Sequence, residues 1–294
     1  MFVCFALFGK SFAGHVQVDR GMSLRDALES LSSGDVVTID PGFYNTSDSC
    51  NITVFADNVV IRGSGTLETI IDCADQGRHV MLEGNNISLV NLRMQNGSPT
   101  VSDVSDTYGG CVLVRGASAL LDGCHIENCF APTSGGAIHA AQSTQVLTLQ
   151  SVRIASSSAY YGGAVSVTPG TTLVMTGRSD AMLVMEGNNA AQGGAVFADN
   201  CVVEVIGSVQ LTDNSAAQKG GAINVENSML TISGDVTLAG DSVTNNGAMG
   251  GAIFAGDSTV VVEKGAELLY NEGPNGGSIA ILGSTSLLVR EGVR

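Results

Sequence analysis

Tryptophan is absent from this 294-residue chain, proline occurs five times, and charged residues make up only 14%. Basic residues are scarcest of all, with 13 Lys and Arg against 28 Asp and Glu and a net charge of −15. Binding to nucleic acid needs cations that neutralise phosphates, and no Lys/Arg cluster is present, so nucleic acid is excluded as a partner. The same charge argues against docking on anionic lipid. No apolar run reaches the roughly 18 residues of a membrane helix, so no membrane-spanning segment is expected. Disorder is excluded too, because disordered chains lack the Val, Ile and Leu that abound in this one, 44% of whose residues are hydrophobic. No Cys-x-x-Cys pair and no Cys/His spacing typical of zinc occurs, so neither metal nor cofactor is expected.

What is plentiful is glycine, 38 residues of it, and the glycines are ordered. A phrase of Gly-Gly, a small residue, then Val or Ile begins at Gly109, Gly135, Gly162, Gly193, Gly220, Gly250 and Gly276, with gaps of 26, 27, 31, 27, 30 and 26 residues. After each phrase the residues alternate, as in Val112/Val114, Ile138/Ala140, Val165/Val167 and Ile253/Ala255. Period two with one apolar face marks a half-buried strand. The residue between (Leu113, His139, Ser166, Phe197, Asn224, Phe254, Ala280) varies and faces outward. Each unit then holds two further apolar runs, such as Leu230/Ile232 and Val236/Leu238. Three short strands in about 27 residues describe one coil of a solenoid, whereas a propeller blade needs about 40. The fold class is therefore all-β: a right-handed parallel β-helix with three short strands per coil. Asn128, Asn189, Asn214, Asn246 and Asn271 precede the doublets, and stacked Asn side chains would form a ladder along the solenoid.

An open solenoid end exposes core and needs a cap. Ser23-Leu24-Arg25-Asp26 reads as a helix start with Ser23 as N-cap; Leu24, Ala27, Leu28 and Leu31 form one stripe, and Gly34 ends the helix. The first strand is expected from Asp35 to Ile39. The organisation that follows is a truncated signal peptide over residues 1–13, an N-terminal cap with irregular coils over 14–108, and regular repeats over 109–294 that continue past the chain end. The leader rests on an apolar start and on Ser11 and Ala13 before a cleavage site, and the missing basic n-region marks it as truncated; the alternative is a buried first strand. Losing Cys4 with it leaves an even six cysteines, which suits an oxidising compartment. Cys50 and Cys73, 23 residues apart, would sit on neighbouring coils, either as a disulfide or as packed thiols.

The Gly-Gly-Ala-Ile/Val phrases, intact at residues 135, 162, 193, 220 and 250, resemble the repeats of chlamydial-type polymorphic outer-membrane proteins. Their FxxN companion is present only loosely, as Met185 to Asn188 and Leu211 to Asn214. Residues Gly34 to Tyr44 and Asn86 to Asn96 are similar to the opening coils of the pectin-lyase-like superfamily. The first resemblance implies a β-helical surface passenger, often adhesive; the second implies fold and says little of chemistry.

Function is expected accordingly: a non-enzymatic secreted or cell-surface solenoid, adhesive or structural, whose partner is a host-surface, matrix or glycan ligand. The alternative is a carbohydrate-active enzyme, a polysaccharide lyase or hydrolase of the pectin-lyase-like kind. No catalytic set stands out. The best residual cluster is Asp72, Asp75, Arg78 and His79, two carboxylates, a cation and an imidazole within eight residues, where the carboxylates would bind calcium or take a proton and Arg78 would steer an acidic sugar. The same residues suit an exposed polar turn. His125 and His139 read as ordinary histidines, Tyr160-Tyr161 as turn packing or a sugar platform, and Asp213, Asp235, Asp241 and Asp257 as strand terminators. Sequons at Asn45, Asn51, Asn86 and Asn96 are candidate glycan sites in a eukaryotic secretory pathway.

Overall fold

Inward Val and Ile residues need partners above and below, and the fold supplies them by stacking. The computed structural model describes residues 14–99 and 107–294; the expected leader and Cys4 lie outside them. Among the described residues the strands form four sheets, all paired in parallel. Sheet I has eleven strands, from His15–Val18 to Ser286–Val289; sheet II has nine, from Gly42–Tyr44 to Glu267–Leu269. Sheet III also has nine, from Ile52–Val54 to Ile279–Leu282. A full coil runs Val202–Gly207 in sheet I, Val209–Thr212 in sheet II and Ile223–Glu226 in sheet III. This is the right-handed parallel β-helix.

The register carries the core. In sheet III Val112, Ile138, Val165, Val196, Ile223 and Ile253 stand directly over one another, each fully buried. Sheet I has the matching column Leu121, Leu149, Met175, Val205 and Ile232. Burying each such side chain stabilises the fold by about 1.5–3 kcal/mol, which no coil could collect alone.

The glycine doublet divides two tasks. The first glycine of each pair has a left-handed φ, 63° at Gly162, which side chains other than Gly rarely adopt. The second lies against the next coil: a Cβ at Gly163 would sit 2.7 Å from the amide nitrogen of Asn189 and collide with the carbonyl oxygen of Gly194. The Ala that follows (Ala137, Ala164, Ala195, Ala222, Ala252) is fully buried.

Three details differ from the sequence reading. The chain enters sheet I earlier than Asp35, because His15–Val18 already pairs with Val36–Ile39. The helix is shorter, Leu24–Glu29: the Ser23 hydroxyl accepts from the amide of Asp26, and Leu24, Ala27 and Leu28 join the common core while Leu31 lies beyond the last turn. Four coils also carry a fourth short strand, from Ser158–Tyr161 to Ser242–Val243, forming sheet IV.

Sheet IV changes the meaning of the varied outward residues. At four doublets the outward residue is covered, because the glycine turn lays the residue before the doublet across the next coil. Tyr108 stacks on His139 with ring centroids 4.8 Å apart, Tyr161 meets Phe197 at 4.7 Å, and Lys219 sits 4.6 Å over the Phe254 ring. Gln192 accepts a hydrogen bond from Asn224 at 3.1 Å. His139, Asn224 and Phe254 are consequently buried.

If close approach between coils governs the motif, Gly163→Ala will destabilise the protein by about 2–3 kcal/mol, the cost of overpacking. Gly277→Ala, in the last doublet with its nearest atom at 3.7 Å, will change stability by less than about 0.5 kcal/mol. Urea unfolding of both variants checks this; equal losses would contradict it.

Candidate functional site

The cluster singled out in the sequence does not converge. The Asp72 carboxylate faces outward and accepts hydrogen bonds from the Ala74 amide (2.8 Å), the Gln95 side chain (2.8 Å) and the Asn96 side chain (3.0 Å). Burial pushes its pKa up, but these bonds outweigh burial and hold it below the usual value. Asp75 is an exposed residue in a left-handed turn. Arg78 is buried and donates to the carbonyls of Gly109 (2.8 Å) and Tyr108 (2.6 Å), tying down the chain there. His79 points into the core, within hydrogen-bond reach of the Ile71 carbonyl at 3.0 Å, and burial lowers its pKa to about 4. Four neighbours in sequence thus do four structural jobs: Asp72 ends the strand Thr69–Asp72 facing outward, whereas His79 lies in the bend before the strand Val80–Leu82 with its ring turned into the core.

Cys50 and Cys73 are joined in a disulfide, with Cα atoms 5.7 Å apart. A second disulfide, Cys111 to Cys129, was not read from the sequence. Cys124 and Cys201 are buried thiols whose pKa values burial raises, to about 12 and about 11. Of the four sequon asparagines, Asn51 accepts from the Arg78 amide, while Asn86 and Asn96 donate from Nδ2 to Asn58 and Asp72. Asn45 is exposed. Among the described residues no three His, Cys, Asp or Glu side chains converge as a metal site would need, and no helix is long and apolar enough to cross a membrane.

The concentration of reactive groups lies on sheet II, where sequence analysis did not place it. Its strands His125–Glu127 and Arg153–Ala155 stack on Arg93–Gln95, which sets Arg93, His125 and Arg153 in one outward column across three successive coils. Glu127 and Glu186 stand in the adjacent column. Arg93 Nε donates to Glu127 at 3.0 Å, His125 Nε2 lies 3.2 Å from the other Glu127 oxygen, and Arg153 Nη1 lies 2.6 Å from His125 Nε2. Arg153 also pairs with Glu186. Burial lowers the His125 pKa; Glu127 opposes that, and Arg153 and Arg93 reinforce it. Burial and the two guanidinium groups thus favour the neutral imidazole, whose Nε2 meets both the Arg153 guanidinium and a Glu127 oxygen. Farther along the same coils the aromatic rings of Phe130 and Tyr160 are 47% and 45% exposed.

The sequence held one usable signal for this ladder. His125 and Arg153 each stand just before the inward Ile of the third apolar run, Ile126 and Ile154. Aligning those runs would have stacked them.

Sheet III carries a shallower feature. Tyr108, Leu113, Arg115, His139, Gln142 and Thr168 line a depression of about 210 Å³. Arg115 is paired with Glu83 at 3.1 Å, and burial, then Arg78 and Arg115, lower the His139 pKa to about 3.

The strand register defines the class, a parallel β-helix, and the chain is similar at low identity to several solved structures. They include a pectin methylesterase in complex with a hexasaccharide (13% identity, 89% of this chain and 78% of that one, TM-score 0.36). The pectin methylesterase from carrot aligns at 10% identity over 92% and 88%, with a TM-score of 0.41. The A-module of the Azotobacter vinelandii mannuronan C-5 epimerase AlgE6 aligns at 16% over 90% and 93%, with a TM-score of 0.35. These likenesses concern the solenoid, not its chemistry. No family model matches the chain, so the resemblance to polymorphic outer-membrane repeats rests on the glycine phrase alone.

The charge ladder makes the His125 titration a direct probe. Its pKa, followed by NMR, should lie below 6.5, rise in Arg153→Ala and fall further in Glu127→Gln. Insensitivity to both substitutions would mean that the ladder does not exist in solution.

Proposed function

We propose that the chain is a carbohydrate-active β-solenoid that engages an acidic polysaccharide along the outer face of sheet II. The observation that carries this is the column Arg93, His125, Arg153, three basic groups stacked on one face of a chain whose net charge is −15. Coils repeat about every 4.8 Å, so a linear chain of sugars lying along the solenoid axis meets these side chains in turn. Arg93 and Arg153 are suited to bind sugar carboxylates in exchange for Glu127 and Glu186, since guanidinium groups pair with carboxylates through two parallel hydrogen bonds. His125, held toward the neutral form with its Nε2 between Glu127 and Arg153, is suited to proton transfer at the sugar.

This is the second of the two functions expected from the sequence. The first, a purely adhesive or structural passenger, has no observation of its own in the fold or the site. A secreted or cell-surface location belongs to the same proposal, and the two disulfides support it, since such bonds persist in oxidising compartments.

Calorimetric titration with a soluble polyuronate and with its methyl-esterified form tests the reading. The acidic polymer should bind more tightly, and Arg93→Ala with Arg153→Ala should weaken that binding at least about tenfold, a loss of about 1.4 kcal/mol. His125→Ala should retain binding within about threefold while removing any turnover of the polymer. Absence of binding, or binding indifferent to both arginines, would end the proposal.

A further inference from the structure

A ladder of polar side chains runs inside the solenoid at the turn after sheet II. The amide of Ser157 donates to Asn188 Oδ1 (3.0 Å), that of Asn188 to Asn214 Oδ1 (3.1 Å), that of Asn214 to Asp241 Oδ1 (2.9 Å) and that of Asp241 to Asn271 Oδ1 (2.9 Å). Every asparagine here also uses its Nδ2. Asn188 Nδ2 donates to Asn214 Oδ1 and to the Ile154 carbonyl; Asn214 Nδ2 donates to Asp241 Oδ1 and to the Met185 carbonyl; Asn271 Nδ2 donates to the Leu238 carbonyl. In each case the carbonyl belongs to the core residue three positions before the preceding rung.

Asp241 occupies one rung of this ladder with no exposed surface. Where its neighbours present an NH2 group it presents Oδ2, which has no hydrogen-bond partner. The repeat of the ladder aims that atom at the Leu211 carbonyl and at Asn271 Oδ1, both acceptors. A carboxylate there meets only lone pairs, whereas a carboxylic acid donates a proton to one of them and replaces an asparagine. We propose that Asp241 is a neutral carboxylic acid in the folded protein, and that its ionisation is a pH switch that loosens the coils on either side of that rung.

The electrostatics agree. Burial pushes the Asp241 pKa up to about 8; the hydrogen bonds from Asn214 pull it down and Asp213 pushes it up. The other charged groups on the packed elements are Lys219, paired with Glu226, Glu267, paired with Arg294, and the exposed Glu272. In the unfolded chain the group has an ordinary aspartate pKa of about 4. The folded state therefore binds the proton more tightly. That contribution to stability is complete below about pH 4 and is lost as pH rises, by up to about tenfold in the unfolding constant per pH unit, until about pH 8. Above that, the folded protein carries a buried carboxylate whose Oδ2 has no donor.

Two measurements on the whole chain test this. Infrared spectroscopy with 13C-labelled aspartate should show a protonated carboxyl band at pH 7 that disappears as pH is raised through about 8 and is missing in Asp241→Asn. Urea unfolding from pH 5 to 9 should show wild-type stability falling with pH, a shallower fall in Asp241→Asn, and greater stability of that variant at pH 9. A carboxyl band absent from the wild type at pH 7, or the same pH slope in both proteins, would overturn the proposal. If Asp241→Asn does not fold, the wild-type band and its pH dependence decide alone.

Discussion

Close stacking of one coil on the next is the constraint from which the rest of the molecule follows. The inter-coil hydrogen bonds demand a common register, and the glycine doublets permit the backbones to approach at the sharpest corner. Gly163 faces the carbonyl of Gly194 and Gly194 that of Gly221, so each doublet requires the one above it. Once this register is set, every residue is placed over its counterpart about 27 residues away. Columns of Val and Ile, of Asn, and of charge are then unavoidable, and their properties depend on which side chains happen to share a column.

Three kinds of column show the consequences. Apolar columns fill one continuous core from Val18 to Ala266. The Asn188, Asn214, Asp241 and Asn271 column satisfies buried polar groups at a turn, where an unpaired backbone amide would be costly. The sheet II column gathers charge: Arg93, His125 and Arg153 lie within a few ångströms of Glu127 and Glu186, and this is the chemistry on which a glycan-directed function is proposed. The same stacking that stabilises the rod thus presents repeated groups to a repeated polymer.

The glycine turn also explains why outward residues are not all surface residues. By folding Tyr108, Tyr161, Gln192 and Lys219 back over the following coil, it matches ring with ring, amide with amide and cation with ring at His139, Phe197, Asn224 and Phe254. These partners lie 31 to 36 positions apart, a full coil and more, which hides them from any local pattern.

Local sequence determined what depends on local chemistry. The doublets at Gly109 to Gly276 mark positive-φ corners, the Val112/Val114 type of alternation marks the inward face, and Ser23 marks a helix start; together they make the parallel solenoid legible. Tertiary structure alone decided which distant residues share a column. Asp72, Asp75, Arg78 and His79 are adjacent in the chain yet dispersed, because a strand end, a turn and a bend send them to different environments. Arg93, His125 and Arg153 are remote in the chain yet adjacent, and Asp241 becomes a ladder rung in place of a strand terminator, because the register of each coil on its neighbour is a sum of loop lengths that no single repeat contains.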